Sequence, residues 1–378
     1  MINHSRFKQR VLFVDHSSFV GGAELSLMSI VNCIGSNNCV ITFAKGEFSR
    51  LLERSDVNYK ILPNGEKLAS ITRNRSVWSL LASFNLVIKS VFWMYNQAKE
   101  YDLIYINTFK SIFLAIPVAL ISNKKIVIHF RDILSTSTHS RSVLFILKIM
   151  IKLSQPKIIA NSIATQLALE QLGIKKSRIT VIYNGFSFFA KPVIQEKIEP
   201  NAVIKVGVFS RIAYWKGQHI AIEALSSLDK NRFEMHFFGG CEDKEYLDSL
   251  LKFKDVNDLH NAKFFGHIND PLIAMKAMDI VVLPSVEPEP FGRVIVEAIM
   301  LGKVVIATNM GGVKEIITHR KTGLLIEPDP SVLREAILEL SNDNQLRSSI
   351  VNCAFEFAKS RFSLEIMSKR LNVFLKMS

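Results

Sequence analysis

The sequence predicts an α/β protein built from two parallel-sheet domains, and three observations support this. Short apolar runs alternate with longer helical patterns along most of the 378 residues. The apolar runs are continuous, which is typical of strands buried on both faces of a parallel sheet. The alternation stops once, in a polar stretch between Pro192 and Pro200, and then restarts. The length also suits two domains.

The first half of the chain contains seven strand candidates, at residues 11–15, 39–43, 58–62, 103–106, 126–130, 157–160 and 179–182. Helical patterns fill most intervals between them, including one from about Gly22 and others at 77–99 and 162–172. A strand–helix–strand series of this kind predicts a parallel sheet with helices on both faces. We therefore assign residues 1–185 to an N-terminal domain.

The series restarts after a linker at 186–202. Further strands are expected at residues 203–209, 234–238, 263–265, 280–284, 304–307 and 323–326, with a helix from Gln218 and a tail that reads as helices only. The second domain covers 203–358, and we expect a C-terminal helix at 359–378 to pack back on the first domain. Two such halves leave a cleft between them, and ligands of parallel sheets bind at the carboxyl ends of the strands.

The charge of the chain is uneven. Residues 1–190 carry 23 basic and 10 acidic side chains, whereas residues 191–378 carry 24 of each. This asymmetry predicts an anionic partner for the first domain. Nucleic acid is disfavoured, because no zinc-finger spacing and no RNA-binding signature are present. The four cysteines form no C-x-x-C pair, which argues against a disulfide framework and a cysteine metal site and favours a reducing compartment.

Membrane contact is expected at a surface and not across the bilayer. The longest uncharged apolar run, residues 111–123, falls short of the roughly 20 residues that a spanning helix needs. Residues 1–10 lack the apolar core of a signal peptide. Basic residues interrupt the apolar segments 77–95 and 143–153. This pattern is typical of contact with an anionic membrane surface. The alternative is that these helices pack on the sheet and their cations are merely solvated. We expect a cytoplasmic protein, peripheral on the inner face of the cytoplasmic membrane.

The strongest chemical signal follows the strand predicted at 280–284 and reads S-V-E-P-E-P-F-G-R-V-I-V-E over residues 285–297. Glu289 falls in a loop, and Glu297 falls in the second turn of a helix that begins near Gly292. A helix N-terminus favours phosphate, and flanking carboxylates accept hydrogen bonds from sugar or ribose hydroxyls. The pair therefore suits a sugar nucleotide. A solvated acidic loop beside an unrelated helix glutamate is the alternative.

Two cations follow the first strand of the second domain. Arg211 and Lys216 come at its carboxyl end, just before the helix that begins at Gln218. Cations in this position can neutralise a diphosphate. Ordinary surface cations are the alternative.

In order, these segments resemble the retaining glycosyltransferases of the GT-B fold, glycosyltransferase family 4 (group 1 glycosyl transferases). The resemblance covers most of residues 203–326. Its motifs are Arg211, K-G at 216–217, P-S at 284–285, E-x7-E from 289 with F-G at 291–292, G-K-V-V-I-A from 302, G-G at 311–312 and T-G at 322–323. The first domain matches more loosely, through G-G-A-E at 21–24, His129 and N-S at 161–162. The resemblance implies two Rossmann-like domains facing across a cleft.

The resemblance also implies roles for matching positions. Arg211 and Lys216 would hold the donor diphosphate, Glu297 the ribose, and Glu289 the donor sugar, although Glu287 is an alternative sugar ligand because a second proline shifts the register. The remaining donor-side positions are the backbone N–H groups of Phe291, Gly292 and Arg293, the helix N-terminus at Gly22, and His129 at the reacting face. A core histidine is the alternative for His129.

Retention is implied as well, with the leaving phosphate accepting the acceptor's proton. Candidate acceptor-side groups are Glu24, Arg131 and Asp132, for which structural or surface roles are the alternative. The sequence has no D-x-D triad. Because two cations and a helix N-terminus can stabilise a leaving diphosphate, we predict no metal and no other cofactor.

The sequence therefore predicts a hexosyltransferase-type enzyme. It would move a sugar from a nucleotide-sugar donor to a saccharide or lipid-linked saccharide acceptor in the biosynthesis of a bacterial surface polysaccharide, lipopolysaccharide or capsule. Two alternatives remain: a non-catalytic sugar-nucleotide-binding homologue that scaffolds a glycan assembly complex, and a related sugar-nucleotide epimerase.

Overall fold

A computed structural model describes residues 9–35, 37–69, 77–136, 138–188 and 202–376. For residues 69 and 77–84 it describes the backbone alone. The chain divides into two compact units, Met1–Gly185 with Leu364–Ser378, and Phe186–Ser363. Most of the predicted linker, residues 189–201, lies outside the described residues. The helix Leu364–Lys376 belongs to the first unit.

The first unit contains a seven-stranded parallel sheet with the order β3-β2-β1-β4-β5-β6-β7. Its strands are β1 (Val11–Asp15), β2 (Cys39–Thr42), β3 (Tyr59–Ile61), β4 (Leu103–Ile106), β5 (Lys125–Phe130), β6 (Lys157–Ala160) and β7 (Ile179–Val181). The second unit contains a six-stranded parallel sheet with the order β10-β9-β8-β11-β12-β13. Its strands are β8 (Ile204–Phe209), β9 (Phe233–Phe238), β10 (Ala262–Gly266), β11 (Ile280–Leu283), β12 (Val304–Thr308) and β13 (Leu324–Ile326).

The described residues form fourteen α-helices. They are α1 (Gly22–Ile34), α2 (Glu47–Arg54), α3 (Gly65–Ala69), α4 (Val77–Ala98), α5 (Phe109–Ser122), α6 (Arg141–Ser154), α7 (Ile163–Gln171), α8 (Gln218–Ser226), α9 (Lys244–Val256), α10 (Pro271–Lys276), α11 (Arg293–Met300), α12 (Pro330–Asn342), α13 (Asn344–Phe362) and α14 (Leu364–Lys376). In the part of the chain described, no helix combines the length and the apolar composition needed to cross a bilayer.

Each sheet is covered on both faces, as the continuous apolar runs predict. In β1, Leu12 and Val14 enter a core shared with α5 and α6, whereas Val11 and Phe13 enter a second core shared with α1 and α14. Successive strand residues point to opposite faces, so a strand with helices on both sides must be apolar throughout.

The predicted α/β class with two parallel-sheet domains is confirmed. All thirteen expected strands are present, and no strand end differs from its expected position by more than one residue. One difference has a clear cause: β11 ends at Leu283, because Pro284 has no backbone N–H to donate.

The strand orders identify where ligands can bind. The order reverses between β1 and β4 in the first sheet and between β8 and β11 in the second. In parallel α/β sheets the loops on either side of such a switch point diverge and leave a crevice at the carboxyl ends of the strands. Of the predicted functional residues, Gly22 and Glu24 come after β1, Arg211 and Lys216 come after β8, and Glu289 comes after β11.

Candidate active site

Three loops of the second unit meet at the switch point. They follow β8, β11 and β12, and the backbone N–H of Val286 in the second loop donates to the carbonyl of Trp215 in the first, over 2.9 Å. The hydroxyl of Thr308, at the end of β12, donates to the carbonyl of Ser285 over 2.7 Å. Loops that are bonded together in this way hold their side chains in fixed positions.

Glu289 lies at the centre of these loops. Its Oε1 atom accepts hydrogen bonds from Nζ of Lys216 at 2.6 Å and from Oγ of Ser285 at 2.5 Å. Only 7% of the Glu289 side chain and 13% of the Lys216 side chain are exposed. The Lys216 ammonium also lies 3.8 Å from the centre of the Trp215 ring. The sequence-predicted cation and carboxylate are therefore brought together as a largely buried ion pair.

Two glycines allow this close packing. Gly217 has φ +71°, and a Cβ there would lie 1.9 Å from the carbonyl oxygen of Pro284. Gly311 has φ +59°, and a Cβ there would lie 2.3 Å from the carbonyl oxygen of Glu289. A residue other than glycine would strain the left-handed backbone at these positions, and its side chain would collide with the neighbouring loop. The K-G and G-G motifs of the sequence thus serve to bring three loops into contact.

Glu287 and Glu289 have different environments. The Glu287 side chain is exposed, whereas Glu289 is 6% exposed and bonded to Lys216 and Ser285. Of the two candidates left open by the sequence, Glu289 is the one joined to the loop cluster.

Helix α11 begins beside this cluster, after Gly292 with φ +97°. Arg293 opens the helix, and its Nη2 atom donates to Oε1 of Glu297 over 2.8 Å. The Arg293 guanidinium stacks over the ring of Phe186 at 4.6 Å. Glu297 is therefore held along the helix by an i,i+4 ion pair, with both side chains mostly buried.

Arg211 has a different partner from Lys216. Its Nη1 atom pairs with Oε2 of Glu242 at 2.6 Å, and the two side chains are 63% and 46% exposed. The two predicted phosphate-binding cations thus differ, since Lys216 is buried in an ion pair and Arg211 reaches into solvent.

The first unit has its own polar cluster at its switch point. Asp15 ends β1, and Asn107 follows β4; the amide nitrogen Nδ2 of Asn107 donates to Oδ2 of Asp15 over 2.6 Å. Arg131, after β5, donates through Nε to Oδ1 of Asn107 at 2.7 Å and through Nη1 to Oδ1 of Asn184 at 2.9 Å. The four side chains are buried, so the loops of four strands are tied together by polar groups inside the protein.

The carboxylates of this cluster have perturbed acidities. Burial raises the pKa of Asp15 to about 7, with a smaller contribution from the charge of Glu24. Hydrogen bonds from the Ser17 backbone and from Asn107 act in the opposite direction and lower this pKa. Burial also raises the pKa of Glu24, whose Oε2 accepts from the backbone N–H of Gly21 at 2.8 Å. Glu24 thus caps the helix that begins at Gly22. Gly21 and Gly22 are both exposed.

The other predicted residues of the first unit, Asp132 and His129, have different environments. Asp132 is exposed on the loop after β5. His129 lies within β5, 3% exposed, with Nδ1 at 2.7 Å from the Tyr105 hydroxyl. Burial and the neighbouring Arg131 charge lower the pKa of His129 well below its usual value. The Nε2 atom of the same ring is buried and has no hydrogen-bond partner among the described residues, so one ring nitrogen is bonded and the other is not.

Sequence patterns did not predict a role for several residues of these clusters. Ser285 and Trp215 contact the predicted pair, and Asp15, Asn107 and Asn184 build the first-unit cluster. A usable signal exists for Asp15 and Asn107, because each is a polar residue placed directly at the end of a fully apolar strand. Ser285 belongs to the P-S motif at 284–285, to which no role was assigned, and Trp215 carries no comparable signal.

Known protein families match both units. The family model for Glycosyl transferases group 1 matches residues 191–357, and that for Glycosyltransferase Family 4 matches residues 20–187. The crystal structure of Anabaena HepE in complex with UDP and glucose is 31% identical, with a TM-score of 0.86, and the match covers 98% of this chain and 100% of that one. The chain belongs to the group 1 glycosyltransferases. Their GT-B fold, anticipated from the sequence motifs, is confirmed.

Curated relatives of this glycosyltransferase share shorter segments with it. An uncharacterized glycosyltransferase of Methanocaldococcus jannaschii, MJ1178, is 34% identical over 193 residues, 50% of this chain and 51% of that protein. The capsular polysaccharide biosynthesis glycosyltransferase CapM of Staphylococcus aureus is 28% identical over 236 residues, 59% of this chain and 60% of CapM. The chain thus spans between half and three fifths of these relatives.

Proposed function

We propose that this glycosyltransferase moves a sugar from a nucleoside diphosphate donor to a saccharide acceptor with retention of anomeric configuration. The observation that carries the proposal is the Lys216–Glu289 pair, buried at the switch point beside the N-terminus of α11. A cation, a carboxylate and a helix N-terminus in one place match the parts of a sugar nucleotide, which are a diphosphate flanked by hydroxyl-bearing rings.

The donor is assigned to the second unit. Lys216 and Arg211 contact the diphosphate, Glu289 accepts hydrogen bonds from hydroxyls of the donor sugar, and Glu297 accepts from the ribose. The backbone N–H groups of Phe291, Gly292 and Arg293 complete the cradle at the start of α11. Anabaena HepE has been crystallised with UDP-glucose, and its 30% identity to this chain favours a UDP-sugar as donor.

The reaction needs stabilisation of the leaving group more than a protein base. Cleavage of the sugar–phosphate bond develops negative charge on the diphosphate, and fixed cations with a helix N-terminus stabilise that charge without a divalent ion. The leaving phosphate then takes the proton of the attacking acceptor hydroxyl, on the same face as the bond that breaks. His129 is the candidate for the reacting face, because its buried Nε2 atom has no hydrogen-bond partner among the described residues.

The acceptor is assigned to the first unit, with Glu24, Arg131 and Asp132 as its candidate contacts. The excess of 23 basic over 10 acidic residues in positions 1–190 favours an acceptor presented at an anionic surface. The relationship to CapM favours a role in surface polysaccharide synthesis. A lipid-linked saccharide on the cytoplasmic face of the membrane meets both conditions.

The test is nucleotide release from a panel of UDP-, GDP- and dTDP-sugars, with and without membrane extract as a source of acceptor. We expect donor-selective release that membrane extract accelerates. Glu289→Gln should abolish it, and Glu287→Gln should leave it unchanged, because Glu287 is exposed and two residues away.

Binding of a nucleotide sugar with no release under any condition would overturn the enzymatic proposal in favour of a scaffold. Conversion of the free sugar nucleotide to its epimer would overturn it in favour of an epimerase.

A further inference from the structure

Helix α6 of the first unit has two opposite apolar faces. Leu144, Leu147 and Ile151 face the core and are at most 4% exposed. On the other side, Phe145 is 63% exposed, Ile149 is 42% exposed and Leu153 is 66% exposed, and Ile146 adds a further 47% exposed side chain. Phe145, Ile149 and Leu153 are spaced four apart, so they form one continuous row along the helix.

The charges on α6 are all of one sign. Arg141, Lys148 and Lys152 are exposed, and the sequence of the helix, RSVLFILKIMIKLS, contains no acidic residue. Lys148 and Lys152 are also four residues apart, so they form a second row on the helix, next to the apolar row. The exposed side of α6 is therefore an apolar strip with a basic edge.

The neighbouring helix extends this surface. Helix α5 packs against α6, and its last turns expose Leu120 at 49% and Ile121 at 61%. Lys125, just beyond the helix, is exposed as well. Apolar side chains grouped in this way on a soluble domain mark an interaction surface.

The chemistry of the strip selects its partner. An amphipathic helix with large apolar residues on one row and lysines beside them lies in the plane of an anionic bilayer, with the apolar row among the upper acyl chains. Lysine stems extend along the apolar surface and leave the ammonium groups at the phosphates. A protein partner would require acidic complementarity instead of lipid phosphates, and nothing on α6 favours one.

We propose that the exposed face of α6 inserts into the surface of an anionic membrane, with Phe145, Ile149 and Leu153 as the inserted row and Lys148 and Lys152 on the lipid phosphates. This inference deepens the proposed function and rests on it only for the acceptor that the membrane would present. Insertion of apolar side chains distinguishes it from simple attraction of a basic surface.

The test uses the full chain and vesicles of phosphatidylcholine, alone or mixed with phosphatidylglycerol. In the variant Phe145→Trp, mixed vesicles should shift the added tryptophan emission to the blue, whereas Ile273→Trp, at a position 67% exposed in the second unit, should show no shift. The double change Ile149→Ser with Leu153→Ser should weaken co-sedimentation about tenfold or more. Each of Lys148→Gln and Lys152→Gln should weaken it about fivefold. Ile273→Ser is the control and should change nothing.

Unchanged sedimentation of the serine double variant, or no blue shift at position 145, would overturn the proposal. A change from dimer to monomer in that variant, with vesicle binding intact, would assign the face to a second copy of the chain. Nucleotide release measured without vesicles separates the two hypotheses. If release fails with every donor, with and without membrane extract, while the blue shift occurs, the proposed function fails and the membrane face stands.

Discussion

The ammonium of Lys216 donates to the carboxylate of Glu289 over 2.6 Å, although 73 residues separate them in the chain. The two side chains are carried by loops that follow β8 and β11, the strands on either side of the switch point. A buried ion pair at this place holds each partner in one orientation and excludes most of the surrounding water. The pair therefore fixes the two groups that the proposed function uses to bind the donor.

Replacement of Lys216 tests its charge directly. Lys216→Ala should lower kcat by roughly 100- to 1000-fold, because a preorganised group that stabilises developing charge contributes about 3–4 kcal/mol to the transition state. Nucleotide release with the preferred donor is the measurement. Lys244→Ala, on the exposed first turn of α9, is the control. Near-normal turnover of the Lys216 variant would remove this residue from the catalytic assignment.

The packing at Gly217 predicts a loss of both stability and activity. Gly217→Ala would place a Cβ 1.9 Å from the carbonyl oxygen of Pro284, so the loop that carries Lys216 must move. We expect a loss of about 2–4 kcal/mol in the free energy of unfolding, measured by urea denaturation, together with reduced nucleotide release. Gly266→Ala is the matched control, since Gly266 has a similar φ of +67° with no heavy atom near the added Cβ, and should cost about 1 kcal/mol. Equal losses in the two variants would contradict the steric explanation.

The acidity of Asp15 predicts a pH-dependent stability of the first unit. Its pKa is raised from 3.8 to about 7, mainly by burial, so the folded state holds a proton that the unfolded state releases. The contribution of Asp15 to the free energy of unfolding is therefore largest below about pH 4 and falls as the pH rises towards 7. The loss should reach a few kcal/mol, because each tenfold change in proton affinity corresponds to about 1.4 kcal/mol.

The variant Asp15→Asn isolates this effect. His16, whose pKa burial lowers to about 4, makes stability rise with pH over part of the same range, so wild type alone is not informative. The difference in unfolding free energy between wild type and Asp15→Asn, measured by urea denaturation, should move in favour of the variant as the pH increases from about 4 to about 7. A difference that stays constant across this range would refute the raised pKa.

Asn107 connects the strands of the first unit. Its Nδ2 bonds to Asp15 and its Oδ1 accepts from Arg131, and all three side chains are buried. Asn107→Ala leaves a buried carboxyl group and a guanidinium with one partner fewer each, which should cost about 2–4 kcal/mol in unfolding free energy. Asn96→Ala, on the exposed side of α4, should cost less than about 0.5 kcal/mol. A loss at Asn107 as small as at Asn96 would show that the cluster does not stabilise the unit.

Chelation tests the predicted independence from metal. We expect EDTA to leave the initial rate of nucleotide release unchanged, because cations of the protein stabilise the leaving diphosphate in the proposed mechanism. A rate that falls with EDTA and recovers with Mg²⁺ or Mn²⁺ would show that a divalent ion shares this role.

Local patterns sufficed for the secondary structure. The strand candidates at 103–106 and 157–160 coincide with β4 and β6, because a run of apolar residues between polar segments is visible in the sequence and need only be buried on both faces. The motif order also identified Lys216 and Glu289 as members of one site. Their pairing was not predicted, since spacing within a motif carries no information about contacts between loops 73 residues apart.

The sequence by itself determined the two parallel sheets, the family and the residues that follow the central strands, because periodicity and motif order are properties of neighbouring positions. Only the tertiary structure decided which glutamate joins Lys216, that His129 is enclosed beside Tyr105, and that Asp15, Asn107 and Arg131 form one cluster. It also showed which side of α6 is left exposed. Burial, hydrogen bonding and the resulting pKa values depend on groups that are distant in sequence. These groups meet only when the parallel strands of each sheet bring their carboxyl ends to one edge of that sheet.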